Sequence, residues 1–116
     1  MLIGIGIDCV EISRFEGLES SFFNRNFKSG EIKYCNSKPR PLQHYAVRFA
    51  AKEAVIKALS NIDIFIDLNS IEIERDSYGR PSVKIYGDFN KDLNFNLSLS
   101  HSNDFAIANV IVSKNE

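Results

Sequence analysis

The chain has 116 residues, 44% of them hydrophobic and 25% charged, with a formal net charge of −1. That length and apolar content suit one globular domain spanning residues 1–116 with a core of its own. The basic third from Ser13 to Arg40 suits an acidic partner, but it is too sparse and too poor in paired aromatic and basic residues for nucleic acid. The apolar start, Met1 to Ile7, is too short to span a membrane, lacks a basic flank and runs straight into Asp8, so neither a signal peptide nor a membrane partner is expected. Cys9 and Cys35 show no metal-ligand spacing, which points to two reduced thiols in a cytoplasmic protein.

Along the chain, Leu2 to Cys9 reads as a strand in which Gly4 and Gly6 admit another backbone at close range. A short helix is expected from about Glu11, and Ser29 opens another that runs to Cys35. Pro39 and Pro41 bracket a break, after which a long helix runs from about Leu42 to Leu59, with Ala50, Ala54 and Ala58 as a narrow packing stripe. Beyond Asn61 the period falls to two. Ile71 to Arg75 and Val83 to Tyr86 flank the Gly79 and Pro81 turn, and Phe95 to Ser100 and Phe105 to Val112 flank His101 to Asp104. A strand, then helices, then four strands argue for an α+β fold with the long helix packed on an antiparallel sheet.

The long helix carries the chemistry. Arg48-Phe49-Ala50-Ala51-Lys52-Glu53-Ala54-Val55-Ile56-Lys57 sets three cations and one carboxylate among small and apolar residues. A core helix gains nothing from such charges, and a solvated one does not need so much apolar bulk beside them. A helix packed on one side and lining an anionic ligand's site on the other resolves the conflict, with Lys and Arg facing phosphate and Glu offering oxygen to a metal. Asp8, at the end of the first strand, either caps the next helix or binds a cation. Glu53 and Lys57, four apart, either form a plain surface pair or serve the same site. Asp8 with Glu53 makes the minimal protein share of a Mg²⁺ site. Arg48 and Lys52 share a face on which two like charges repel unless an anion covers them. Ser100 and His101 add a hydroxyl and an imidazole at a strand end. A dinucleotide-binding reading of Gly4 and Gly6 fails, because the third glycine is missing and both lie inside the strand.

The order of four segments resembles the holo-[acyl-carrier-protein] synthase family: GIGIDCVEISR at 4–14, RFAAKEAVIKAL at 48–59, SIEIERDSYGRP at 70–81 and SLSHSNDFAIANVIV at 98–112. These are small bacterial phosphopantetheinyl transferases. The resemblance implies transfer of the 4′-phosphopantetheine arm of coenzyme A to a serine of acyl carrier protein, with release of adenosine 3′,5′-bisphosphate. It implies Asp8 and Glu53 as ligands of Mg²⁺ and Lys57 as an aid at the reacting phosphate. Arg48, Lys52, Ser100 and His101 match positions around the coenzyme A phosphates, and Arg14 matches the position that meets acidic residues of the carrier. The family assembles as a homotrimer with sites between subunits. One departure stands out. The family's Gly-Thr-Gly type turn after the long helix is replaced by Ser60-Asn61-Ile62-Asp63-Ile64-Phe65, to which no ligand contact is assigned. A metal-dependent phosphodiesterase and a nucleotide-holding module use similar residues, but the first needs a third acidic ligand and a basic groove that the sequence lacks.

Overall fold

A computed structural model describes residues 1–87 and 92–115. In chain order it contains β1 (Leu2–Glu11), a 3-10 turn (Ile12–Phe15), α1 (Ser20–Asn26), α2 (Ser29–Asn36) and α3 (Pro41–Ser60). A second 3-10 turn (Leu68–Ser70) leads into β2 (Ile71–Arg75), β3 (Pro81–Ile85), β4 (Leu93–His101) and β5 (Phe105–Lys114). The helix expected near Glu11 resolves into the first 3-10 turn and α1. The mixed fold with antiparallel strands is as expected, but the strands form two sheets, one ordered β1-β5-β4 and the other the β2-β3 hairpin alone.

β1 joins the last strand of the chain, in a register that runs from Leu2↔Lys114 to Glu11↔Phe105. The two ends of the sequence therefore make the sheet on which α3 lies. α3 starts with Pro41 in its first turn, where a missing N–H costs nothing. Its alanines at 50, 54 and 58 are fully buried. They admit β1 closely because Gly4 and Gly6 stand opposite. A Cβ on Gly4 would lie 1.9 Å from the Ala58 carbonyl oxygen, and one on Gly6 equally close to that of Ala54. No other residue type fits there without moving the helix.

The sheet's inner face continues with Ala106, Ala108, Val110 and Val112 of β5, all buried against α3. Its outer face is also apolar. Ile3, Ile5 and Ile7 are 57%, 60% and 59% exposed, and Phe105, Ile107 and Ile111 of β5 share their side. Beyond the sheet, Phe15, Phe22, Phe23, Phe27, Tyr45 and Phe49 form a chain of ring contacts that docks the first 3-10 turn and α1 on α3. Among the described residues no helix is long and apolar enough to cross a membrane.

Candidate active site

Even-numbered residues of β1 face α3. After Gly4 and Gly6, Asp8 is the first on that face with a functional side chain. Lys57 reaches back from α3 to meet it, its Nζ donating to Asp8 Oδ1 at 3.0 Å and to the Ile7 carbonyl at 2.9 Å. Just past the end of α3, Asn61 accepts the Ile5 N–H at 2.9 Å, so it and Lys57 meet backbone groups on the free edge of β1. The following 3-10 turn starts at Glu11 without any side-chain cap, so Asp8 is not spent on capping it.

Glu53 sits one turn before Lys57 and is half-buried. Burial, then the nearby Asp8 carboxylate, push its pKa above the usual carboxylate range, with Lys57 pulling the other way. Two carboxylates that repel each other beside a single ammonium suit a cation. Among the described residues no group of three or more His, Cys, Asp or Glu side chains gathers. The donor set of two hard oxygens from a strand and a helix fits Mg²⁺, which keeps several positions for water and substrate phosphate.

A second cluster lies further toward the start of α3. Arg48 is 3% exposed, and its guanidinium stacks 4.2 Å from the centre of the Tyr34 ring. Its Nη1 donates to the His44 carbonyl at 3.3 Å, while its buried Nε has no partner among the described residues. Lys38 and Arg75 also approach the Tyr34 ring, at 4.6 and 5.6 Å, and His44 meets its edge at 5.7 Å. Burial, then Arg48, Lys38, His101 and Arg75, hold the His44 pKa below the ordinary imidazole value. His101 itself is exposed at the end of β4.

Lys52 requires a correction. The expectation set it beside Arg48, facing a ligand phosphate. Its side chain is instead fully buried, with Nζ 2.6 Å from Glu31 Oε1 and 2.7 Å from the Asn26 carbonyl, and stacked 4.7 Å over Phe27. Glu31 is engaged further, since it accepts the backbone N–H groups of Lys28 at 2.8 Å and Ile73 at 2.9 Å. The ammonium is spent on joining α1, α2, β2 and α3 and has no donor left facing solvent. Burial lowers its pKa, and Glu31 opposes that.

The structure thus brings Asp8, Glu53 and Lys57 together and sets Arg48 beside Tyr34 and His44. Ser100 is exposed near the end of β4, and Arg14 is exposed in the 3-10 turn after β1. Tyr34, Lys38, His44 and Arg75 escaped the sequence reading, as did Glu31. The signal available for Glu31 was its place four residues before Cys35, on the buried face of α2. In the segment that departs from the family pattern, Asp63 takes the left-handed conformation at φ 60°, where glycine would sit more easily, and Phe65 is 76% exposed.

A family model described as the 4′-phosphopantetheinyl transferase superfamily matches residues 4–110. The chain is 38% identical to a holo-[acyl-carrier-protein] synthase of Geobacter metallireducens, over 98% of this chain and 99% of that one. It is 41% identical to the synthase of Thermodesulfovibrio yellowstonii, over 97% and 100% of the two chains. Among solved structures, the acyl carrier protein synthase–CoA complex from Chronobacterium ammoniagenes superposes with a TM-score of 0.85 at 26% identity, covering both chains completely. The Bacillus anthracis synthase in complex with CoA (3′,5′-ADP) superposes at 0.80, with 30% identity over 97% of this chain and 96% of that one.

Proposed function

The chain belongs to the 4′-phosphopantetheinyl transferase superfamily, and on that premise we propose that it moves the 4′-phosphopantetheine arm of coenzyme A to a serine of acyl carrier protein. The serine oxygen forms a bond to the phosphorus next to the pantetheine arm. The bond from that phosphorus to the bridging oxygen breaks, and adenosine 3′,5′-bisphosphate leaves. The observation that carries the reading is the convergence of Asp8 and Glu53 beside Lys57, on the strand and helix that also set out Arg48.

In this reading Asp8 and Glu53 hold Mg²⁺, which when bound neutralises charge on the pyrophosphate. Lys57, released from Asp8 or shared with it, places its ammonium where charge builds on the transferred phosphoryl group. Arg48, Ser100 and His101 hold the phosphates of coenzyme A. The serine proton passes to water, since a carboxylate engaged with a cation is a weak base. Arg14, exposed and cationic, meets acidic residues of the carrier protein. The proposed setting is the cytoplasm, in keeping with the two unpaired thiols at Cys9 and Cys35.

Assembly belongs to the same proposal. The outer face of the β1-β5-β4 sheet carries Ile3, Ile5, Ile7, Ile107 and Ile111 in the open, a patch of the kind that marks an interface. A closed homotrimer covers it and places the sites between neighbours.

The test is mass spectrometry of apo acyl carrier protein incubated with the chain, coenzyme A and Mg²⁺. Gain of the phosphopantetheine mass on the carrier is the expected result. Cleavage of coenzyme A with an unmodified carrier would reveal a phosphodiesterase. No chemistry at all would leave a binding module. Either outcome overturns the reading.

A further inference from the structure

The Tyr34 ring has three cations around it, each from a different segment: Arg48 from α3, Lys38 from the turn after α2, and Arg75 from β2. Three cations from separate segments gathered on one ring call for a reason. Like charges at this spacing repel, and the nearby carboxylates are largely spent. Glu31 is engaged by Lys52 and two backbone N–H groups, and Glu72 accepts the Tyr86 hydroxyl. Glu31, Glu72 and Glu74 all line the same cavity of about 290 Å³ as Tyr34, Arg48 and Arg75, and Glu74 is exposed to water.

The chemistry of the contact explains the choice of an aromatic ring. A carboxylate would hold Arg48 by its N–H donors and cancel its charge. A ring holds it by its flat face and leaves its charge uncancelled, even though Nη1 is engaged by the His44 carbonyl. The buried Nε of Arg48 is a donor with no partner among the described residues. A buried donor without an acceptor is costly, and a phosphate oxygen would relieve the cost.

We infer that Tyr34 is a positioning residue, one whose ring gathers the charges of Arg48, Lys38 and Arg75 beside a substrate phosphate and leaves the Nε of Arg48 to donate to it, although Arg75 Nη1 is engaged by the Gly79 carbonyl at 2.6 Å. This rests on the reading that Arg48 meets a phosphate of coenzyme A. Tyr34 touches no reacting atom. It acts on affinity through the guanidinium it holds.

The experiment measures KM and kcat for coenzyme A, inhibition by adenosine 3′,5′-bisphosphate, and thermal unfolding in Tyr34→Leu, Tyr34→Phe and Arg48→Ala. Tyr34→Leu should raise KM and the inhibition constant by about tenfold while kcat changes less than about twofold. Tyr34→Phe, which keeps the ring, should restore both constants. A second series keeps the shape of the ring and so keeps the fold. With phenylalanine carrying none, two or five fluorines at position 34, KM should climb stepwise as the ring face loses its negative potential. A flat fluorine series, or a Tyr34→Phe protein as weak as Tyr34→Leu, overturns the role of the ring. An effect in Arg48→Ala without one in Tyr34→Leu overturns this inference alone. No effect in either variant overturns the placement of phosphate at Arg48.

Discussion

Lys52 and Glu31 meet at 2.6 Å in the interior, and neither side chain reaches water. The pair is costly to desolvate and is held by geometry. Both partners are also held by backbone groups, Lys52 by the Asn26 carbonyl and Glu31 by the N–H groups of Lys28 and Ile73. Lys52→Met should therefore destabilise the protein by about 3–5 kcal/mol in urea titrations, because it strands the Glu31 charge. Replacing both with Leu should not recover that loss, since the N–H groups of Lys28 and Ile73 would remain without an acceptor. A double variant as stable as the parent would show that the carboxylate is not needed for those donors.

Gly6 gives a second stability prediction. A methyl group there would lie 1.9 Å from the Ala54 carbonyl oxygen, against backbone that cannot rotate away. Gly6→Ala should cost at least the upper end of the about 1–3 kcal/mol typical of overpacking. Calorimetry reading an unchanged Tm would mean that α3 sits further from β1 than described.

How far the sequence announces all this depends on the range of each interaction. Gly4, Gly6 and the alanine stripe at 50, 54 and 58 were readable because close packing of a strand on a helix demands small residues at fixed periods. Asp8, Glu53 and Lys57 stood out because charge beside apolar periodicity is anomalous within one short segment. The burial of Lys52 was not readable. Helical spacing places it on the Arg48 side but says nothing of what packs there, and its partner Glu31 lies 21 residues away. The pairing of β1 with β5 joins the two ends of the chain, and alternation within a strand carries no record of its neighbour. Tyr34 was invisible for the same reason, since its cations come from three separate segments.

Glu53 links the candidate metal site to pH. Burial and Asp8 raise its pKa, so the metal-free folded state binds a proton that the unfolded chain has already lost. Its contribution to stability is therefore lost as pH rises through that raised value. Glu53→Gln lacks the penalty. The gain in Tm of metal-free Glu53→Gln over the parent should grow from pH 4 to pH 7, while Mg²⁺ should stabilise the parent and not the variant. Transfer activity should vanish in Glu53→Gln and in Asp8→Ala. A Tm difference that shrinks with rising pH, or Mg²⁺-dependent activity near that of the parent, would remove the carboxylate concerned from the site.

His44 works in the opposite sense. Its pKa lies below the ordinary value of about 6.5, through burial and the surrounding cations. The unfolded chain then takes up a proton before the folded one does, so stability contributed by neutral His44 is present at pH 7 and lost as pH falls below about 6.5. His44→Phe should flatten the fall in Tm between pH 7 and pH 5. Added adenosine 3′,5′-bisphosphate should also flatten it, by bringing negative charge to the cluster. NMR titration of the His44 ring checks both, and a midpoint at or above the ordinary value would contradict the described surroundings.

The outer face of the three-stranded sheet sets the last prediction. Ile5 pairs across the sheet with Ile111, and both project away from α3 into the open, flanked by Ile3 and Ile7. Burying side chains of this size is worth about 1.5–3 kcal/mol each, which gives a face of several isoleucines ample reason to find a covering. If neighbouring copies supply it, Ile5→Lys should leave the fold of the subunit intact, because the side chain contributes nothing to the core, yet reduce the sedimenting mass from trimer to monomer. Activity should fall with it and should not be restored by raising coenzyme A, since the defect lies in assembly and not in affinity. Dilution of the parent protein should reproduce the loss at low concentration. An Ile5→Lys protein that stays trimeric, or a monomer that keeps full activity, would place the subunit contacts elsewhere and leave this apolar face to another partner.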